Sequence, residues 1–584
     1  MWKVLSSAAL SLALLGGTTV GYSSTNVSKT ASATSKFSLV KPEQVAPSPE
    51  FEAFAKAHGI DMTKQAKKLA SLPKGKKFNA PGTNHVTYSP TSDKIPMLVL
   101  LVKFAGEQPV GAPATQVPAK YFNDLIFGDT YNPYELPQFS KFDGPNVPKN
   151  RTMQNAYKEN SYGKVTLTTD DAPKEWVTLP YDAHHYLGQD LGDLDNTNGY
   201  GHMGDLVADV LNAADAQVDF SKYAVDGVVP NVFIVHAGTG AEWSGDPQQV
   251  WSHKWDIQSA LYYQPYYHDG TLQDENKFME DNKDKWTKDG VTIGTYTIEP
   301  EIGGNVAGYN GVNGYDDALK TGPYPTQAGV FSHEFGHALG LPDLYDVDYT
   351  SQGAGNYTIM AGGSWMSYPR GNAYLGNSPT NFDPFSKMFL GWANPINVAP
   401  TDGEKTITLP PVNKAGASKG FVKMEVPGSN GTEYYLFENV QQVGFNQGLN
   451  RQGADSHGLV AWHVDENTLK HYEMGFNDVN SVESYGNKIY NVNDPENGGV
   501  THYGLSVVQK DGKFDLEKNV NRGDAGDFFK TGDVLKSNQA NVYSGSFYFF
   551  KGYNGVGLSG INVKNIKENE DGSLTATFFY QNDK

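Results

Sequence analysis

The chain has 584 residues, 38% of them hydrophobic and 12% aromatic, which is enough apolar surface for packed structure and too much length for one core. A formal net charge of −19 excludes a basic nucleic-acid-binding face. With no cysteine, disulfides, thiolate metal sites and cysteine nucleophiles are excluded, so any metal site must use His, Asp and Glu.

Residues 1–23 read as a secretory signal peptide: Lys3 precedes the apolar run Val4–Leu15, too short to span a bilayer, and small polar residues follow. Residues 24–94 read as a propeptide. Within it, Ser48-Pro49-Glu50-Phe51-Glu52 has the form of a helix start, with proline just inside and acids in the first turn. Asp61–Leu72 is expected as a second helix, and Pro73–Lys77 as an exposed basic turn open to proteolytic nicking.

A catalytic domain is expected over residues 95–393. Met97–Phe104 and Val232–Val235 are unbroken apolar runs, as in buried strands, while Lys164–Thr168 alternates and Leu206–Ala214 has a helical pattern. Tyr262–Thr297 reads as a long loop. Over residues 394–584 short strands alternate with Gly/Asn/Asp turns, at Lys405–Leu409, Phe421–Val426, Tyr434–Glu438, Leu459–Val464 and Leu574–Phe579, which predicts a β-rich C-terminal domain. The expected class is α+β, with no membrane anchor after the signal.

The chemistry concentrates in Ser332-His333-Glu334-Phe335-Gly336-His337-Ala338-Leu339-Gly340-Leu341-Pro342-Asp343. Four residues apart on a helix, His333 and His337 share one face and can hold one zinc ion, with Glu334 beside them as a base. Gly340 suits a left-handed helix stop and Pro342 forbids more helix, so the chain turns and offers Asp343 as third ligand. The next glutamate is Glu404, too far along for a later-helix ligand. Asp346 and Asp348 are rivals, for the metal or as acceptors behind the histidines.

Thr358-Ile359-Met360-Ala361 looks like the methionine turn beneath the metal in metzincins. Together with His333–Asp346, Ile359–Trp365, Asn160–Gly163, Ile234–Gly238, Trp251–Trp255, Leu390–Trp392, Trp462–Glu466 and Gly523–Asp527, these residues resemble the immune inhibitor A family of secreted metallopeptidases. The resemblance runs from about Pro96 to the C-terminus. It implies a zincin fold, endopeptidase action on proteins or peptides, and bound calcium. It also implies zinc on His333, His337 and Asp343 with Glu334 as general base, and a propeptide that inhibits its own enzyme. Many metzincins have a tyrosine two residues after the methionine; here Gly362 stands there, leaving Tyr368 or a histidine to stabilise the oxyanion.

Asp511, Asp515, Asp524 and Asp527 lie on turn-rich chain and are the candidates for calcium. His236 and His253 read as hydrogen-bonded structural residues, and His85 or Asp93 as groups that cover the metal before activation. Two other classes compete with the endopeptidase. One is a catalytically silent binding protein on a zincin scaffold; the other, a carbohydrate-active enzyme, lacks a pair of catalytic carboxylates.

Overall fold

The computed structural model describes residues 36–37, 42–59, 62, 78–79, 88–109, 111–132, 148–173, 175–187, 202–245, 249–269, 274–304, 323–347, 349, 351–370, 374–466, 504–536 and 559–581. All belong to one compact unit, Ser35–Lys584. The predicted signal peptide, the basic turn, His85, Asp348 and all of the second propeptide helix except Met62 fall outside them.

An eight-stranded sheet forms the frame. Its main strands are β1 (Glu43–Gln44), β2 (Leu98–Lys103), β3 (Trp176–Thr178), β4 (Val228–Thr239), β5 (His253–Asp256) and β6 (Val291–Gly303), in the spatial order β1-β5-β6-β4-β2-β3. From β6 to β3 the strands are parallel, and β4 is buried at every position, as a strand covered on both faces must be. β5 runs antiparallel to β6, and β1 antiparallel to β5.

The helices that pack on this sheet or border the site include α1 (Pro49–His58), α2 (Met153–Asn160), α3 (Met203–Ala214), α4 (Ile257–Asp269) and α5 (Ala328–Ala338). On one sheet face Val232, Ile234, Tyr296 and Ile298 pack with Leu206, Val210 and Leu261 of α3 and α4. On the other, Phe233 and Val235 meet Phe331 and Phe335 of α5 and Tyr157 of α2. The expected loop Tyr262–Thr297 is therefore wrong. It contains most of α4, a helix Glu275–Asp281 and the first half of β6. Among the described side chains, Tyr262 and Tyr263 are core, packed beside Phe278 and Trp286.

The helix start at Ser48 forms as expected: its Oγ accepts from the Phe51 N–H at 3.1 Å and Pro49 opens α1. The C-terminal region is β-rich. A five-stranded sheet (Ile396–Val398, Phe421–Glu425, Glu433–Val440, Gly458–Asp465, Leu505–Val507) packs on a three-stranded one (Lys405–Leu409, Leu574–Tyr580, Ile561–Glu568). Its outer aromatics Tyr434 and Trp462 join the same core cluster as Phe335 and Met360, so the region buttresses the helix that carries the histidines.

Candidate active site

Every residue of α5 is buried. Two glycines in a helix interior cost about 1 kcal/mol each relative to alanine, so close packing must require them. A Cβ on Gly329 would lie 2.0 Å from the Ser364 carbonyl, and one on Gly336 2.5 Å from Met360 Sδ. The helix is thus pressed onto the methionine turn. It stops where expected: Gly340 has φ +94°, and the Leu341 N–H returns to the Gly336 carbonyl at 3.1 Å.

That turn brings Asp343 back over the helix. His333 Nε2, His337 Nε2 and Asp343 Oδ1 form a triangle with all three sides 3.1 Å. Each histidine's Nδ1 faces a backbone carbonyl at 2.8 Å, Ile359 for His333 and Leu341 for His337. A carbonyl only accepts, so each Nδ1 carries the proton and each Nε2 points a lone pair inward. Three lone pairs converging in a buried site call for a cation. Two imidazole nitrogens and one carboxylate oxygen within 3.1 Å of one another are a donor set that would hold zinc. The donor set fits the metal.

The electrostatics agree. Burial opposes charge on His337, yet Asp343 and Glu43 hold its pKa above the ordinary value. Burial would raise Asp343, but His337 and His333 hold it below the usual carboxylate range. Glu334 is fully buried with both oxygens unpartnered, and burial, then Glu299, Asp343, Glu242 and Glu43, push its pKa well up. Glu242, raised to about 7 by burial, accepts from the Ser252 N–H and Oγ.

Three groups at the site were not foreseen. The Gln44 carbonyl lies 3.3 Å from His333 Nε2 and accepts from Tyr345 Oη at 2.9 Å. Gln44 reaches that place because β1 pairs with the sheet edge, Glu43 opposite Lys254 and Gln44 opposite His253, and the Val45 N–H continues the ladder to the Ser252 carbonyl at 3.2 Å. Glu43 Oε2 is 3.7 Å from His337 Nδ1. A two-residue strand paired with partners more than 200 residues away has no sequence signature. The phenol, by contrast, sits two residues after Asp343 and was open to notice.

Several expectations need correction. Asp93 is not at the metal site: its carbonyl accepts from the Thr166 N–H beside the short strand Lys94–Pro96. The phenol that meets the Gln44 carbonyl at the triangle is Tyr345 rather than Tyr368. Asp346 is neither ligand nor histidine acceptor, because Oδ2 takes the N–H and Oγ of Ser351, both at 2.8 Å. Glu404 pairs with Lys564 at 2.6 Å on the surface. As expected, His236 and His253 are buried and bonded to carbonyls, Nδ1 of His236 to Ala237 at 2.9 Å and Nδ1 of His253 to Trp251 at 2.7 Å. Of the four calcium candidates, Asp511, Asp524 and Asp527 converge on one point. Asp515 does not join them, and Lys513 already pairs with Asp511 at 2.6 Å.

A two-histidine helix under a mostly parallel sheet, a carboxylate returned by a glycine turn and a methionine turn beneath define a metallopeptidase catalytic fold. Residues 87–393, more than half of the chain, match the family model described as immune inhibitor A peptidase M6, catalytic domain, and the chain belongs to that family. It is 29% identical over 340 residues to immune inhibitor A of Bacillus thuringiensis subsp. alesti, covering 52% of this chain and 41% of that protein. It is 25% identical over 294 residues to the pre-pro-metalloprotease PrtV of Vibrio cholerae serotype O1, covering 46% of this chain and 26% of that one. The match thus spans well under half of either relative's length.

Proposed function

We propose that the chain is a secreted zinc endopeptidase, made as a zymogen and acting on extracellular proteins. The observation that carries this reading is the triangle of His333, His337 and Asp343 with a backbone carbonyl laid across it. His333, His337 and Asp343 would hold zinc. When bound, zinc acidifies a water molecule and polarises the carbonyl of the peptide to be cut. Glu334 takes the proton from the attacking water and passes it to the leaving nitrogen as the C–N bond breaks. Tyr345, donating where a scissile carbonyl would lie, supports the developing oxyanion. Met360 and Gly336 hold the floor.

In this reading residues 1–23 direct export, 24–94 inhibit, 95–393 form the catalytic domain and 394–584 the β-rich domain. Glu43–Ala46 supports the inhibitory role, since it lies along the edge strand with its carbonyl at the metal-ligand atoms. A relative named a pre-pro-metalloprotease is in keeping with that. A calcium ion on Asp511, Asp524 and Asp527 would satisfy three carboxylates that otherwise repel.

The test is hydrolysis of casein by the purified processed protein. Activity should be lost to a chelator, return with zinc, and be absent in Glu334→Ala. A protein holding one zinc per chain that cuts no protein substrate would instead be the silent binding protein.

A further inference from the structure

Arg522 belongs to the β-rich C-terminal region in sequence, but its side chain works in the cleft. Its carbonyl accepts from the Asn356 N–H at 2.8 Å, which fixes it to the chain just ahead of the methionine turn. Two glycines make room for it. A Cβ on Gly355 would lie 2.5 Å from the Arg522 carbonyl oxygen, and one on Gly362 3.3 Å from its Cδ. A Cβ on Gly362 would also lie 2.7 Å from Asn356 Oδ1, so the glycine leaves room for both side chains.

The guanidinium is nearly buried, with 9% side-chain exposure. Nε and Nη2 both reach Glu52 Oε2, at 2.7 and 2.6 Å, and Nη2 also donates to the Pro47 carbonyl at 2.8 Å. Nη1 is buried without a hydrogen-bond partner. Beside it is a cavity of about 170 Å³ lined by Tyr345, Tyr349, Gln352, Asn519 and Pro47. Ala46, Pro47, Glu52, Lys56 and Met62 of the N-terminal segment also line this cavity, so removing the segment opens it and frees the guanidinium fork for another carboxylate. Both present partners, Glu52 and Pro47, lie in the N-terminal segment.

The register says what replaces them. The Gln44 carbonyl stands at the metal-ligand atoms, Val45 carries the ladder one residue further, the Ala46 carbonyl accepts from Trp365 Nε1, and Pro47, three residues after Gln44, meets Arg522. A substrate bound in the same register presents the carbonyl of the third residue past its cut bond to Arg522 Nη2. An acidic side chain at that residue or the next enters the space that Glu52 leaves.

We propose that Arg522 is a specificity-determining residue of the processed enzyme, selecting protein substrates with Asp or Glu three or four residues beyond the cleaved bond. This rests on the reading that Glu43–Ala46 occupies the cleft in the substrate's place and is removed on activation.

The experiment uses the secreted, processed chain and paired fluorogenic peptides with Glu or Gln at the third and fourth residues past the cut. A charge-assisted hydrogen bond is expected to favour the Glu peptide in kcat/KM by about 10- to 100-fold. That ratio should fall to near one in Arg522→Gln, and Arg522→Lys should retain part of it. Binding by the inactive Glu334→Ala chain, read by fluorescence anisotropy, should show the same preference without turnover. If Arg522→Gln does not fold, the wild-type cleavage sites in a denatured proteome should still be enriched in acids at those two positions. Equal cleavage of both peptides, no enrichment, or a preference that survives Arg522→Gln overturns the proposal. Failure to cut either peptide or casein overturns the endopeptidase reading beneath it.

Discussion

Glu52 is where the N-terminal segment is fastened most tightly over the cleft. One oxygen takes Arg522 at 2.6 and 2.7 Å, and the other takes Lys56 at 2.7 Å and Gln352. Burial alone would raise its pKa, but Arg522 and Lys56 bring it from 4.5 down to about 2. That difference corresponds to about 3 kcal/mol in favour of the ionised state, shared between Arg522 across the cleft and Lys56 in the same helix, and only the Arg522 share holds the segment docked. Glu52→Gln should therefore weaken docking by roughly 10- to 100-fold, and it leaves Arg522 as a buried, unpaired charge. The sign for pH follows from a folded pKa below the unfolded one. The contribution is complete above about pH 4.5 and is lost as pH falls through about 2. Hydrogen exchange of the amides of residues 43–58 in the precursor measures this directly, with faster exchange expected in the variant at neutral pH and in the wild type on acidification. The rate of conversion to the processed form should rise in parallel. Exchange within threefold of wild type would refute the argument that Glu52 fastens the segment.

Other outcomes follow from the same geometry. Tyr345→Phe should lower kcat by about 10² through loss of one oxyanion donor, with zinc content unchanged by metal analysis. Asp343→Asn removes the charge at one corner of the triangle and should lower zinc affinity at least tenfold, read by competition with a chelator. Gly329→Ala drives a Cβ to 2.0 Å from the Ser364 carbonyl and should cost about 1–3 kcal/mol in chemical denaturation, with activity falling as α5 lifts from the methionine turn.

The parts of the site legible in the sequence are those carried by local spacing. Two histidines one helical turn apart, a glycine stop, a proline and an acid beyond it describe a metal half-site without a fold. In the β-rich region, short runs between Gly/Asn/Asp turns placed both the mostly exposed strand Lys405–Leu409 and the fully buried Glu433–Val440 and Gly458–Asp465. Where partners are distant, local signals fail. β1 is two residues long and exists only because the edge of β5 needs covering. Arg522 reads as a surface residue of a turn until Gly355 and Gly362 are seen to vacate its path. Tyr262–Thr297 looks like a loop because aspartates, asparagines and lysines interrupt its apolar residues, yet Tyr262, Tyr263, Phe278, Trp286 and Ile293 pack on one side of the sheet. Asp515 shares the turn-rich spacing of its neighbours but not their meeting point; Asn521 Nδ2 stands between it and Asp524, at 3.4 and 3.1 Å from their Oδ2 atoms.

The most direct test of the central claim is to measure zinc and casein hydrolysis on the same preparations of processed wild-type and Glu334→Ala protein. The account predicts one zinc per chain in both and hydrolysis only in the wild type, because Glu334 moves protons without holding the metal. Hydrolysis retained by Glu334→Ala, or hydrolysis by wild-type protein that holds no zinc, would contradict it.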